Sequence, residues 1–155
     1  PDFKRQKRYR LMWMYTKYEP GTVKVVAYNE KGDAVAEKEI HTAGKPDHIE
    51  LVADRNEIKA DGKDLSFVTV RVVDKEGNLC PDAQHLIKYA VKGAGTYRAG
   101  ANGDPTSLEL FHVPQMKVFN GMMTAVVQST DKPGEITLTA TGKGLKSGRL
   151  VLISK

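Results

Sequence analysis

The chain has 155 residues, with 24 Lys and Arg against 19 Asp and Glu, a formal charge of +5, 40% apolar and 28% charged content. That make-up suits one ordinary globular domain, alone or with a fragment attached, and no apolar run nears the ~20 residues that span a bilayer. The charge is local: Lys4, Arg5, Lys7, Arg8 and Arg10 against Asp2 put +4 into the first ten residues, leaving +1 elsewhere, which excludes a nucleic-acid footprint spread over the domain.

The basic start PDFKRQKRYR is not followed by the apolar stretch of a signal peptide, and an opening at Pro1 is expected of a trimmed chain. Tyr9, Leu11, Trp13 and Tyr15 then alternate with polar or flexible positions and predict a strand, turned at Tyr18-Glu19-Pro20-Gly21. A second strand is predicted over Thr22–Tyr28, with Val23, Val25 and Ala27 on one face. Asn29 to Asp33 supplies turn chemistry, and Ala34–Thr42 makes a third strand. Gly44-Lys45-Pro46-Asp47 is the strongest linker signal, a polar break stiffened by proline. It divides the chain into residues 1–44 and 45–155.

Past the break, Ile49, Leu51 and Ala53 predict a short strand and Ile58 with Ala60 another. The stretch 65–74 is the clearest strand of all: Val68, Val70 and Val72 share one face, while Thr69 and Arg71 hold the other. Asp74 to Asn78 reads as a type I turn closed by a glycine able to take positive φ, with a further strand beginning beyond it. Ile87, Tyr89 and Val91 line one side of a strand from His85 to Lys92. From Gly93 to Pro105 the glycine content predicts a connection, and residues 105–120 an irregular excursion with one short strand. Strands over Met122–Ser129, Glu135–Thr141 and Leu150–Ile153 complete the pattern. About seven short strands with regular turns and no helical period predict an all-β sandwich.

Reactive chemistry is sparse. Cys80 stands alone, so no internal disulfide forms, and His41, His48, His85 and His112 lack zinc-ligand spacing. Gly93-Ala94-Gly95 lacks the third glycine of a dinucleotide fingerprint. Asp61, Asp64 and Asp104 fit turns whose Asx side chains bond their own backbone better than they fit a glycosidase pair. The expectation is therefore no catalytic residue, no metal ligand and no cofactor. Planar aromatic side chains can stack on a pyranose. The residues expected to offer a carbohydrate or interface contact are Trp13, Tyr15, Tyr18, Tyr97, Asn102 and Asp104, although core packing suits Trp13 better and turn chemistry suits Asn102 and Asp104.

Several segments, in order, resemble the C-terminal region of bacterial family 2 glycoside hydrolases of the β-galactosidase type. They include Arg10-Leu11-Met12-Trp13, Tyr18-Glu19-Pro20-Gly21-Thr22, Val25-Val26-Ala27-Tyr28 and Thr42-Ala43-Gly44-Lys45-Pro46. Ala60-Asp61-Gly62-Lys63-Asp64-Leu65-Ser66, Asn102-Gly103-Asp104-Pro105-Thr106-Ser107 and Phe119-Asn120-Gly121 continue the series. The resemblance implies an immunoglobulin-like β-sandwich over 45–155, preceded over 1–44 by the closing strands of a partial immunoglobulin-like domain. The (β/α)₈ barrel that carries that family's catalytic glutamates has no counterpart in these residues, so no catalytic role carries over. The implied function is a non-catalytic accessory module of an extracytoplasmic glycosidase, acting as spacer, stabiliser or subunit contact. The alternative is a stand-alone adhesin-like or carbohydrate-binding module. The expected partners are the parent catalytic domain in cis and a second copy, through dimerisation or strand exchange over residues 7–42, with weak carbohydrate contact besides. A three-stranded remnant of about 44 residues is near the lower size limit for independent folding, and its apolar face and free edge would seek cover.

Overall fold

The computed structural model describes residues 17–155, whose regular structure is entirely β, and the chain divides into two compact units, Pro1–Thr42 and Ala43–Lys155. The strand expected over Tyr9 to Tyr15, with Trp13 and Tyr15, lies outside the described residues.

In the first unit, β1 (Thr22–Tyr28) and β2 (Ala34–His41) form an antiparallel hairpin. The side chain of Asn29 makes the turn by accepting the Lys31 and Asp33 amides, both at 2.9 Å. Val23 faces Ile40 and Ala27 faces Ala36 across the pair, so the period of two collects these residues and Val25 on one side. The other side carries Thr22, Lys24, Glu37, Glu39 and His41 together with Val26. There Lys24 and Glu37 pair at 2.9 Å, and Thr22 and His41 hydrogen-bond at 2.9 Å. Val23, Val25 and Ile40 are all exposed.

The second unit is a sandwich. One sheet orders β3 (His48–Ala53), β5 (Leu65–Val73), β9 (Met122–Ser129) and β7 (Gly95–Ala101). The other orders β4 (Glu57–Ile58), β11 (Gly148–Ser154), β10 (Gly134–Gly142), β6 (Leu86–Gly93) and β8 (Gln115–Lys117). The first follows the A-B-E-D order of an immunoglobulin-like fold, and β11-β10-β6 follows G-F-C. Alternation fills the core as expected. Val68, Val70 and Val72 of β5 meet Met123, Ala125 and Val127 of β9 on one inner face, with Ile136, Leu138, Ala140 and Ile87 on the other, all buried.

Two expectations need correction. The glycine-rich connection after Gly93 contains a full strand, β7, paired with β9 through Tyr97 and Val127. Its small residues answer to packing: a Cβ on Gly95 would sit 2.7 Å from Cδ1 of Ile136. Beyond the Asp74 turn, where Gly77 does take φ of 85°, the expected strand reduces to one bridge between Val73 and Leu79. Pro81 and Asp82 then turn the chain, and the Ala83 amide closes onto the Cys80 carbonyl at 3.1 Å.

Candidate functional site

The end of the sandwich at which the chain arrives is built around Asp74. Its buried carboxylate accepts the amides of Gly44 at 2.7 Å, Asn78 at 2.8 Å and Glu76 at 3.0 Å, and the side-chain amide of Asn78 at 3.1 Å. These donors, led by Gly44, hold its pKa down at about 2. One side chain thus closes its own turn and fastens the incoming segment thirty positions upstream. Cys80 adds a weak bond from its thiol to the Gly44 carbonyl at 3.7 Å, and burial pushes that thiol's pKa up.

The segment between β7 and β8 is turned inside out. Asn102 donates from its side chain to the Lys117 carbonyl at 3.0 Å and accepts the Asp104 amide at 3.0 Å. Asp104 accepts the Thr106 hydroxyl at 2.7 Å and its amide at 2.8 Å, and this pair holds the carboxyl below its usual range. Glu109 folds back so that both carboxylate oxygens lie 3.2 Å from the Lys117 amide. The Phe111 carbonyl is gripped by the Gly100 amide at 2.8 Å and approached by the Tyr97 hydroxyl at 3.4 Å. The side chains of Asn102, Asp104 and Glu109 are therefore committed to partners that build the loop. The apolar ones face outward: Leu108 is 95% exposed, Leu110 61% and Phe111 62%.

The residues expected to make contacts are thereby placed. Tyr97 is half-buried and stacks on buried Tyr89, with ring centres 5.6 Å apart and planes 12° apart. Asn102 and Asp104 are partly buried at the base of the loop, adjacent to Tyr97 through β7. Tyr18 is exposed in the other unit, its hydroxyl 3.4 Å from that of Thr42. The structure therefore brings Tyr97, Asn102 and Asp104 together in one unit. The reading from sequence missed Leu108, Leu110 and Phe111 as a group. Their only signal was three apolar residues within four positions in a stretch without period.

Other carboxylates are also committed to structure. Asp61 accepts the amides of Lys63 at 2.9 Å and Asp64 at 2.8 Å. Asp64 accepts the Lys59 amide at 2.8 Å and pairs with Arg55 at 3.0 Å. Asp47 pairs with Lys146 at 2.9 Å. Each is held below the ordinary carboxylate range by those partners.

A family model described as glycoside hydrolase family 2 C-terminal domain 5 matches residues 49–151, most of the chain. The chain belongs to this family. A second model, a domain of unknown function (DUF4982), matches residues 2–36. Relatives that cover most of the chain agree with the glycoside hydrolase family 2 assignment. Over 134 residues it is 52% identical to Beta-galactosidase BoGH2A of Bacteroides ovatus, covering 86% of this chain and 16% of that protein. A solved family 2 member from Bacteroides cellulosilyticus superposes over 90% of this chain and 18% of its own with a TM-score of 0.83 and 35% identity. A beta-glycosidase from Bacteroides vulgatus does so over 88% and 18%, with a TM-score of 0.84 and 26% identity. The chain thus spans less than a fifth of the length of these bacterial relatives.

Proposed function

We propose that this chain is the non-catalytic, C-terminal accessory part of a longer family 2 glycosidase of the β-galactosidase type. It acts as a spacer or stabiliser for a catalytic part that lies elsewhere in the polypeptide. One observation carries the non-catalytic reading. A glycosidase needs a carboxylic acid whose pKa is raised so that it can protonate the leaving group. Asp47, Asp61, Asp64, Asp74 and Asp104 are all shifted the opposite way, each by donors that shape a turn or fasten a strand end. Incubating the 155-residue chain with a chromogenic β-galactoside should release nothing, while the longer polypeptide carrying it should hydrolyse the same compound. Turnover by the short chain alone would refute the reading.

A subunit-contact role has its own support in the hairpin of β1 and β2. Val23, Val25 and Ile40 are exposed apolar side chains on one face of the pair, a surface that a partner can cover. A second copy can supply that cover. Light scattering at high concentration should then report a dimer that Val23→Lys disperses, and a clean monomer would count against it. A glycan array tests the carbohydrate-binding alternative, which selective retention abolished by Tyr18→Ala would favour.

A further inference from the structure

The loop between β7 and β8 offers the most pronounced apolar surface of the second unit, and its construction argues for a purpose. A loop that merely connects strands puts polar side chains into water. Here Asn102, Asp104 and Glu109 are spent on backbone partners within the fold, while Leu108, Leu110 and Phe111 project from it. Hydrogen bonds at both ends of the loop hold these apolar side chains out, so burying them against a partner orders little additional backbone.

The topology also places this loop relative to the incoming chain. Gly44 is fastened to Asp74 at the end of β5, where Val73 pairs with His48 and Arg71 with Met122. β7 runs out at the same end, with Ala101 opposite Thr124, and β6 begins there, with Leu86 opposite Lys117. Phe119 and Met122, both partly exposed, turn the chain between them. The segment entering at Gly44 and the root of the apolar loop therefore share one end of the sandwich.

We infer that Leu108, Leu110 and Phe111 dock onto the catalytic body of the same polypeptide. This rests on the accessory-module reading above. The choice of occupant follows from two facts: the family model is a C-terminal domain, and the chain spans only 16% of the β-galactosidase it matches, so most of that polypeptide lies outside these residues. The chemistry agrees. Two leucines beside a single phenylalanine make an apolar knob suited to an apolar protein recess, since only Phe111 among them offers a flat ring on which a sugar could stack.

Hydrogen exchange tests it by comparing residues 106–113 in the 155-residue chain and in the longer enzyme. Docking should slow exchange there roughly tenfold or more in the longer enzyme, the factor that corresponds to about 1.4 kcal/mol. Leu108→Asp with Leu110→Asp should return it to the rate of the short chain, while leaving the melting temperature of the short chain unchanged. Equal exchange in both contexts would overturn the docking. So would protection that appears in the short chain on concentration, which would indicate a second copy, or only on adding oligosaccharide. Activity of the longer enzyme on the chromogenic glycoside is read separately: its absence removes the glycosidase reading, whereas an active enzyme with an unprotected loop removes the docking alone.

Discussion

Replacing Gly93 with alanine strikes the joint at which the chain changes sheets. Gly93 ends β6, Gly95 opens β7 in the opposite sheet, and Ala94 alone lies between them. Gly93 has φ of 93°, and a Cβ there would collide with the carbonyl oxygen of Glu135, the group that accepts the Ala94 amide at 2.9 Å. An L-residue at positive φ costs about 1–2 kcal/mol. Losing the Ala94 bond costs about 1 kcal/mol more. Pushing back β10, whose Ile136 is fully buried, adds about 1–3 kcal/mol of overpacking. The total is roughly 3–6 kcal/mol, a large share of the ~5–15 kcal/mol that holds a domain together. Gly144→Ala is the control, because Gly144 has φ of 77° and no atom within 4 Å of the added Cβ, so only the backbone penalty remains. At roughly 4–5 °C per kcal/mol for a unit of this size, Gly93→Ala should lower the melting temperature by at least ~12 °C and Gly144→Ala by ~4–10 °C. Circular dichroism melts of the two variants side by side decide it. Equal losses would show that the contact with Glu135 carries no cost and refute the reasoning.

Asp74→Asn should flatten the acid limb of stability. The carboxyl sits at about 2 in the fold against an ordinary 3.8, so its contribution is complete above pH ~4 and lost as pH falls through about 2. Urea midpoints measured from pH 7 downward should show the variant weaker at neutrality and the gap closing towards pH 2, and a constant gap would contradict this. Leu138→Ala empties a fully buried site between Leu150 and Val91 and should cost about 2–5 kcal/mol, whereas Leu108→Ala should change stability by less than about 0.5 kcal/mol. Denaturant titration of both variants separates the two leucines. Tyr97→Ala should cost about 1–3 kcal/mol through the lost stack on Tyr89, so any use of that variant as a binding probe needs a melting curve beside it.

What could be read from residues alone follows the range of the forces involved. In β5, β9 and β10 each strand buries one face, so alternation by itself marks Val68, Val70, Val72, Ile136, Leu138 and Ala140 as core. Turns are legible for the same reason, because Asn29 and Asp74 bond amides two and four positions away. The further bond from Asp74 to Gly44 is a matter of tertiary placement, and no local pattern announces it. β7 failed to register because Gly95 and Gly100 are small to admit Ile136 and Met123, a demand made by distant parts of the chain.

The apolar loop shows the limit most sharply. Reading Leu108, Leu110 and Phe111 by hydrophobicity alone would turn them inward, yet the inward positions are held by side chains with backbone partners to satisfy. Once Asn102 and Glu109 have taken the Lys117 carbonyl and amide, the leucines have no interior left to enter. Their exposure is thus set by the polar residues between them, which makes Glu109→Gln an informative companion to the leucine variants. If Glu109 holds the loop outward, that change should weaken its grip on the Lys117 amide and raise exchange at Lys117 while leaving the sandwich core protected. Unchanged exchange at Lys117 would mean that the rest of the loop holds its shape without Glu109.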